Sequence, residues 1–316
     1  MQVGNFRFAA DLAALTGPDD RIGIAFSGGP DSLALLLLAS AARPGRIEAA
    51  TVDHRLRPES RAEAKACAQV CATLAVPHTI LTARWAAPPT ANLQANARAE
   101  RYALLGEWAT TRRLSAVATA HHADDQAETL LMRLARGSGI AGLGGARASR
   151  PLVEGVALVR PLLARRKVEL EAVVAAAGLV ALDDPSNRDA RHDRARMRAW
   201  LADAAWADPE RLAASASHLR DADDALDWAV RTLAETRVAR DGDVVTIDPA
   251  GLPRELQRRL LLNAFAEFDA SPPRGPDLVS AMTSLHEGTS CTLAGLKLEA
   301  GPTWRLTRAP PRSRRA

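Results

Sequence analysis

Ile22-Gly23-Ile24-Ala25-Phe26-Ser27-Gly28-Gly29-Pro30-Asp31-Ser32 is an apolar run that feeds a glycine-rich turn and opens directly into a helical stretch, Leu33 to Ala42. Strand, tight turn and helix N-terminus in that order make a phosphate site. Gly28 and Gly29 let the backbone approach an anion closely and are expected to take positive φ, while the amides and partial positive charge of the helix N-terminus attract it. Pro30 suits the first helical turn but has no N–H. The cradle is therefore expected from the amides of Gly28, Gly29, Asp31 and Ser32 with the hydroxyls of Ser27 and Ser32. No Gly-x-x-x-x-Gly-Lys-Ser/Thr occurs in the chain, which argues against a P-loop with its phosphate-gripping lysine.

Working outward, β-branched apolar segments alternate with segments of helical period. Strands are expected at Arg21–Phe26, Ile47–Val52, His78–Thr82 and Ala116–Ala120, and helices at Asp31–Ala42, Glu59–Ala75, Ala91–Arg112 and Ala123–Arg136. This alternation implies an α/β fold, a doubly wound parallel sheet that binds ligands beyond the carboxyl ends of its strands. A hairpin around Glu154-Gly155 and a helix at Arg165–Ala177, stopped by Gly178, complete that half. A border near Trp206–Pro209 separates residues 1–208 from a smaller C-terminal α+β domain, 209–316. There a long helix (Glu210–Arg237) is followed by a strand (Val244–Ile247), helices at Pro253–Phe268 and Pro276–His286, and strands near Thr289–Leu298 and Trp304–Leu306.

The chain has 316 residues and a net charge of +4. No apolar run is long enough to span a bilayer, and the first fifteen residues have no signal-peptide pattern, so the expectation is a cytoplasmic protein without a membrane partner. Three cysteines without a Cys-x-x-Cys favour ordinary reduced thiols over a zinc or iron–sulfur site. Five arginines fall in Trp304–Ala316 with no acid, and five in Arg188–Arg198 against two aspartates. Such clusters suit a polyanionic partner.

Three further constellations carry chemistry. Asp31, in the first turn of the phosphate-loop helix, can hold a magnesium ion bridging triphosphate oxygens. His121-His122-Ala123-Asp124-Asp125-Gln126-Ala127-Glu128-Thr129 follows the fourth strand; His121, Asp125 and Glu128 share a face away from the apolar stripe. Magnesium held by Asp125 with Asp31, and a histidine near the transferred phosphate, is preferred there to a zinc site. Asp53-His54 follows the second strand, where a base or ribose commonly lies, although Asp53 is equally a turn former. Arg98 and Arg101 lie on one side of the third helix, with surface ion pairing the plainer alternative.

Jointly these segments resemble the tRNA(Ile)-lysidine synthetase family of PP-loop ATP pyrophosphatases. The matches are Ser27-Gly-Gly-Pro-Asp-Ser32, Val52-Asp-His-Arg-Leu-Arg57, Ala97-Arg-Ala-Glu-Arg-Tyr102, His121-His-Ala-Asp-Asp-Gln-Ala-Glu-Thr129, Arg136-Gly-Ser-Gly139, Arg160-Pro-Leu-Leu163 and Asp184-Pro-Ser-Asn187. They cover about residues 20 to 200 in the family's order. The resemblance implies that ATP, bound on Ser27–Ser32, adenylates the C2 oxygen of the wobble cytidine in a CAU-anticodon isoleucine tRNA, and that free L-lysine then displaces AMP. It implies magnesium on Asp31 and Asp125, phosphate charge met by Arg98, Arg136 or Arg160, and a proton acceptor among His121, His122 and Asp125. Asn187, Arg191, Arg194, Arg196 and Arg198 would grip the tRNA backbone, helped by the C-terminal domain. That domain is shorter than in the family's longer members, so the chain looks like a compact form. Oligomeric state is left open, a homodimer included. The runner-up is a tRNA thiolase of the same superfamily, which would want paired cysteines. A non-catalytic nucleotide- or RNA-binding protein would need neither Asp31 nor Asp125.

Overall fold

The computed structural model describes residues 2–57, 59–85, 92–182, 193–204 and 206–310. In chain order the elements are α1 (Gln2–Ala13), β1 (Ile22–Ala25), α2 (Pro30–Ala42), β2 (Ile47–Asp53), α3 (Ser60–Thr73), β3 (His78–Thr82), α4 (Leu93–Arg112), β4 (Ala116–Ala118), α5 (Ala123–Leu134) and α6 (Ile140–Leu143). They continue through β5 (Ser149–Val153), β6 (Val156–Val159), α7 (Lys167–Ala176), α8 (Asp193–Asp203), α9 (Pro209–Arg237), β7 (Val238–Asp241), β8 (Val244–Ile247), α10 (Arg254–Ala266), α11 (Gly275–His286), β9 (Cys291–Leu293), β10 (Leu296–Glu299) and β11 (Trp304–Arg308). Contacts divide the chain into two units, residues 1–220 and 221–316.

The first unit is built on a sheet of order β3-β2-β1-β4-β6-β5, parallel except for the antiparallel β5–β6 hairpin. The doubly wound parallel sheet expected from the sequence is present. Ile22 and Ile24 of β1 are wholly buried, and Gly23 between them has no room for a side chain, since a methyl there would fall 2.5 Å from the Trp108 ring. Central strands buried on both faces read as continuous apolar runs, which is how β1 announces itself. One face is covered by α2 with α1, α3 and α7, packing Leu33, Leu35 and Leu36 against Phe8, Leu12, Cys67 and Leu170; α4 covers the other with Leu105 and Trp108. Because α2 is apolar nearly all round, it sits between layers rather than at the surface. Each such buried leucine contributes about 1.5–3 kcal/mol.

The strand order reverses between β1 and β4: the chain runs outward from β1 to β2 and β3, then returns to pair β4 with the other side of β1. A crevice opens at such a point, beyond the carboxyl ends of the two strands. The second unit carries a separate antiparallel sheet, β7-β8-β11-β10-β9, with α10 and α11 packed on it through Leu260, Leu261, Phe265, Met282 and Leu285. It is the expected small α+β domain, with one difference. The stretch read as a single strand, Thr289–Leu298, is a hairpin, because Ala294 and Gly295 both adopt positive φ (47° and 80°) and reverse the chain. Among the described residues no helix is long and apolar enough to cross a membrane.

Candidate active site at the β1 and β4 junctions

After β1 the Phe26 amide donates to the Ala50 carbonyl, and the chain turns at Gly28, whose φ of 84° lies in the left-handed region. The Gly28 carbonyl accepts from the Leu182 amide at 2.9 Å, and a methyl on Gly28 would stand 2.5 Å from Leu182 Cδ1 and 2.9 Å from Cys67 Sγ. Gly29 departs from the sequence expectation: as N-cap of α2 it is extended, with φ −66° and ψ 163°. N-cap residues keep extended backbone, so Gly28 alone makes the turn. Among the described residues a methyl at Gly29 would meet only Ser27 Oγ, at 3.7 Å, which leaves its bare Cα approachable by a ligand. Ser32 Oγ accepts from the Ser27 amide at 3.2 Å and donates to the Gly29 carbonyl at 3.0 Å. The Ser32 hydroxyl thus holds the loop's shape from inside. Pro30 opens the helix, and the amides of Asp31 and Ser32 stand ahead of its first bond, Leu33 N–H to Gly29 C=O. Amides so placed have no intrahelical acceptor and point at an incoming anion.

The β4 junction supplies the facing groups. His122, 2% exposed, is the N-cap of α5, and its backbone N–H donates to Asp125 Oδ2 at 3.2 Å. Its Nε2 lies 3.6 Å from Asp31 Oδ2 and 3.6 Å from Asp125 Oδ2, and its Nδ1 lies 3.5 Å from Asp124 Oδ2. Burial by itself would strip the imidazolium of its proton. Asp124 and Asp31 against the ring, with the charge of Asp125, overcome this and raise the His122 pKa to about 10. Asp124 responds in the opposite sense: burial would raise it, but His122 and the Lys167 amide, which donates at 2.8 Å, hold it at about 2. Sequence reasoning missed Asp124, although the adjacent acid pair was its signal. His121 behaves differently from its neighbour. Burial, opposed by Asp125 but reinforced by Arg160, Arg98 and Arg194, pushes it down to about 4, and its Nδ1 lies 3.0 Å from Thr119 Oγ1. One neutral and one charged imidazole therefore stand side by side at neutral pH.

Among the described residues, Asp31 Oδ1 and His122 Nδ1 are buried without a hydrogen-bond partner, and the carboxylates of Asp31 and Asp125 both face the crevice side of His122 Nε2. Hard oxygen donors, one from each junction, suit magnesium, which completes its shell with water and phosphate oxygens. Asp31 and Asp125 therefore fit the ion expected of them.

Other residues singled out in the sequence are placed as follows. Asp53 accepts from the Arg55 amide (3.0 Å) and Ser60 Oγ (2.7 Å) and lies 3.7 Å from Arg61, so its carboxylate anchors the start of α3. His54 gives its carbonyl to the Trp85 indole N–H at 2.6 Å, while burial lowers its ring pKa. Arg98 lies over the Tyr102 ring at 5.1 Å, with Arg150 at 4.9 Å; Arg160, buried, donates to the Arg147 carbonyl at 2.5 Å. The Tyr102 stack gave no separate signal in the sequence. Arg136 pairs with Asp193 at 2.7 Å, and Arg196 with the same aspartate at 2.5 Å. Arg198 and Arg194 turn to Glu128, an acid 1% exposed, at 2.7 and 3.8 Å. Glu128 thus fastens α8 to α5 rather than standing open in the cleft. Asn187 and Arg191 lie outside the described residues.

With this geometry in view, the comparisons are specific. The PP-loop domain family matches residues 6–205. A tRNA(Ile)-lysidine synthase from Novosphingobium aromaticivorans is 46% identical over 308 residues, covering 96% of this chain and 93% of that one. The chain belongs to the tRNA(Ile)-lysidine synthase family. The lysidine synthase of Zymomonas mobilis subsp. mobilis agrees, at 42% identity over 93% of this chain and 90% of that one. Among solved structures, a U34-tRNA thiolase from Methanococcus maripaludis has a TM-score of 0.55 at 16% identity, covering 68% of this chain and 78% of that one; this is a likeness of fold alone. Lysidine synthase relatives of nearly full coverage thus accompany the Asp31, His122 and Asp125 cluster.

Proposed function

We propose that the protein ligates free L-lysine to C2 of the wobble cytidine in a CAU-anticodon isoleucine tRNA, using ATP and magnesium. The observation that carries this reading is the meeting of Asp31 and Asp125 on His122, each 3.6 Å from its Nε2, across the β1–β4 crevice of a lysidine synthase relative. In the first step the C2 oxygen of cytidine attacks the α-phosphorus of ATP. A new O–P bond forms, the bond to the β-phosphate oxygen breaks, and pyrophosphate leaves. In the second step the ε-amine of lysine attacks C2, the C–O bond breaks with AMP as leaving group, and the nitrogen gives up a proton. AMP makes a good leaving group of an otherwise poor one.

The chain's residues divide this work. Gly28, Gly29 and the first-turn amides of α2 seat the triphosphate. Asp31 and Asp125 would hold magnesium, which when bound draws charge from the phosphate oxygens. His122, buried with its ring against Asp31, Asp124 and Asp125, orients those carboxylates at the crevice. The proton released by lysine passes to an acceptor among His121, His122 and Asp125; burial holds His121 at about 4, which makes it the weakest base of its kind there. Arg98 and Arg160 flank the site as further cations, whereas Arg136 acts through Asp193 to position α8. Arg196, the most exposed of the described arginines of α8, meets the tRNA backbone, while Arg194 and Arg198 hold α8 to Glu128, and the second unit makes tRNA contacts of its own. The thiolase reading has less support, because Cys67 and Cys71 are wholly buried in the core of the first unit and Cys291 lies in the second.

The direct test is release of pyrophosphate and AMP from ATP with CAU-anticodon isoleucine tRNA, with and without lysine, followed by nucleoside analysis of the tRNA. Absence of lysidine from the product overturns the reading. A second expectation concerns the RNA grip. Arg196→Ala should weaken tRNA binding a few-fold and reduce the slope of log K against log salt by about one, because one phosphate contact is lost. An unchanged slope removes Arg196 from the interface. Gly29→Ala should fold like the parent yet raise the KM for ATP, because the added methyl points into open space on the ligand side. An unaltered KM would show that phosphate does not approach there.

A further inference from the structure

Between the free edge of β3 and helix α4 runs a groove of about 810 Å³ that the reaction above does not use. Its floor is β3 with Leu104 and Trp108 of α4, and Arg55, Arg84 and Trp85 line its end beyond the carboxyl termini of β2 and β3. This is the sheet edge on which the phosphate loop lies. Trp85 is half-buried, and the 2.6 Å bond from its indole N–H to the His54 carbonyl fixes the plane of its ring. Trp108 is 5% exposed, and its indole N–H has no hydrogen-bond partner. Arg55 and Arg84 are exposed, and among the described residues neither guanidinium is in an ion pair. Arg112, the third arginine of the lining, is already paired with Glu48 at 2.7 Å; Glu107 is the acid of the lining.

The chemistry of this groove is that of a single-strand nucleic-acid site. A ring held in one plane gives a stacking face that accepts any base, and unpaired guanidiniums beside it accept phosphates. The half-buried Trp85 ring beside Arg55 and Arg84, which are in no ion pair among the described residues, suits a base with its phosphates better than a peptide or a lipid chain. The volume falls in the range that encloses most of a small ligand, enough for one nucleotide with its flanking phosphates. Strands pack about 4.8 Å apart, so β3 lies roughly 10 Å from β1 across β2. The groove is therefore within a nucleotide or two of the phosphate loop.

We infer that this groove seats an unpaired anticodon-loop nucleotide near the modified cytidine, its base stacked on Trp85 and its phosphates on Arg55 and Arg84. The inference rests on the tRNA substrate proposed above. It adds a second anchor: the loop is held by one base in the groove while the target base enters the crevice.

The test uses the full chain, CAU-anticodon isoleucine tRNA, and variants in which one loop nucleotide other than the target cytidine is made abasic. Trp85→Leu should raise the tRNA Kd roughly five- to one-hundredfold, the range of one lost base stack, with kcat within about twofold of the parent. Trp85→Phe keeps a ring and should restore most of the binding. Arg84→Ala should weaken binding several-fold and lower the salt slope by about one. One abasic position should cost the parent as much as Trp85→Leu does and cost that variant nothing further, the mark of a direct pair. An unchanged Kd in Trp85→Leu, or the absence of any coupled abasic position, overturns the inference. If Trp85→Leu does not fold, Trp85→Phe and Arg84→Ala decide on the same two criteria of abasic coupling and salt slope. Because Kd is read by filter retention without turnover, the groove can fail while lysidine still forms, and lysidine can fail to form while the groove still binds.

Discussion

Asp31→Asn is expected to lower AMP formation by about two to three orders of magnitude while leaving the fold intact. The amide keeps the size of the carboxylate but loses its charge, and with it one of two acids available to an ion at the phosphates. Removing a single group aimed at developing transition-state charge commonly costs a factor of this size. The side chain is 32% exposed and makes no backbone bond that the substitution would break, so the fold should be kept, with a modest loss of stability where the Asp31–His122 contact loses its charge. Asp125→Asn should act in the same direction, but its backbone partner matters. Asp125 also accepts from the His122 amide, a bond that asparagine can keep through its oxygen. The measurement is AMP production at saturating tRNA and lysine over a magnesium titration, alongside circular dichroism. The midpoint should move to higher magnesium, and a drop of less than tenfold in Asp31→Asn would remove the ion from these acids.

Gly28→Ala is expected to destabilise the first unit by about 2–5 kcal/mol. Two independent penalties meet there. An alanine held in the left-handed region costs roughly 1–2 kcal/mol, and forcing a methyl into a filled space adds about 1–3 kcal/mol. The space is filled by Leu182 Cδ1 at 2.5 Å and Cys67 Sγ at 2.9 Å, neither of which is the far end of a long flexible side chain. Urea unfolding read at equilibrium checks the figure, with Gly29→Ala as the contrast. That neighbour has φ −66° and, among the described residues, no atom nearer than 3.7 Å to the added carbon, so it should stay within about 1 kcal/mol of the parent. Equal losses in the two variants would mean that the loop turns elsewhere.

The sheet of the first unit was legible because its strands are short apolar runs set between helices of clear period, and β3 was read at its observed limits. The first helix was overlooked, although Phe8, Leu12 and Leu15 stand one turn apart and pack on α2. Twelve residues with Gly4 inside give a weak local preference, and it is burial against α2 that keeps them helical. The edge strand β7 was hidden by Arg240 and Asp241, polar residues that an edge exposed to water tolerates. Within the site, spacing marked Asp31 and Asp125 but not which histidine joins them. That choice is made by capping geometry: His122 is the N-cap and turns inward, while His121 one residue earlier turns to Thr119. A charge cluster in a sequence also does not tell which of its members pair within the protein. Arg194 and Arg198 read as a free basic face, yet both turn to Glu128, whose burial depends on an arrangement of α5 and α8 that no local pattern encodes.

The reversal of strand order has a consequence for how the chain comes to be active as it is made. Asp31 and Asp125 are separated by almost a hundred positions along the polypeptide, and they meet only after β4 has docked beside β1. A ribosome-bound fragment ending before β4 carries the residues of the loop but neither the Leu182 amide that holds the Gly28 carbonyl nor Asp125. Long-range pairing of this kind is among the later events of folding. On the function proposed above, the architecture ties nucleotide consumption to completion of the sheet, and unfinished chains are expected to leave ATP intact.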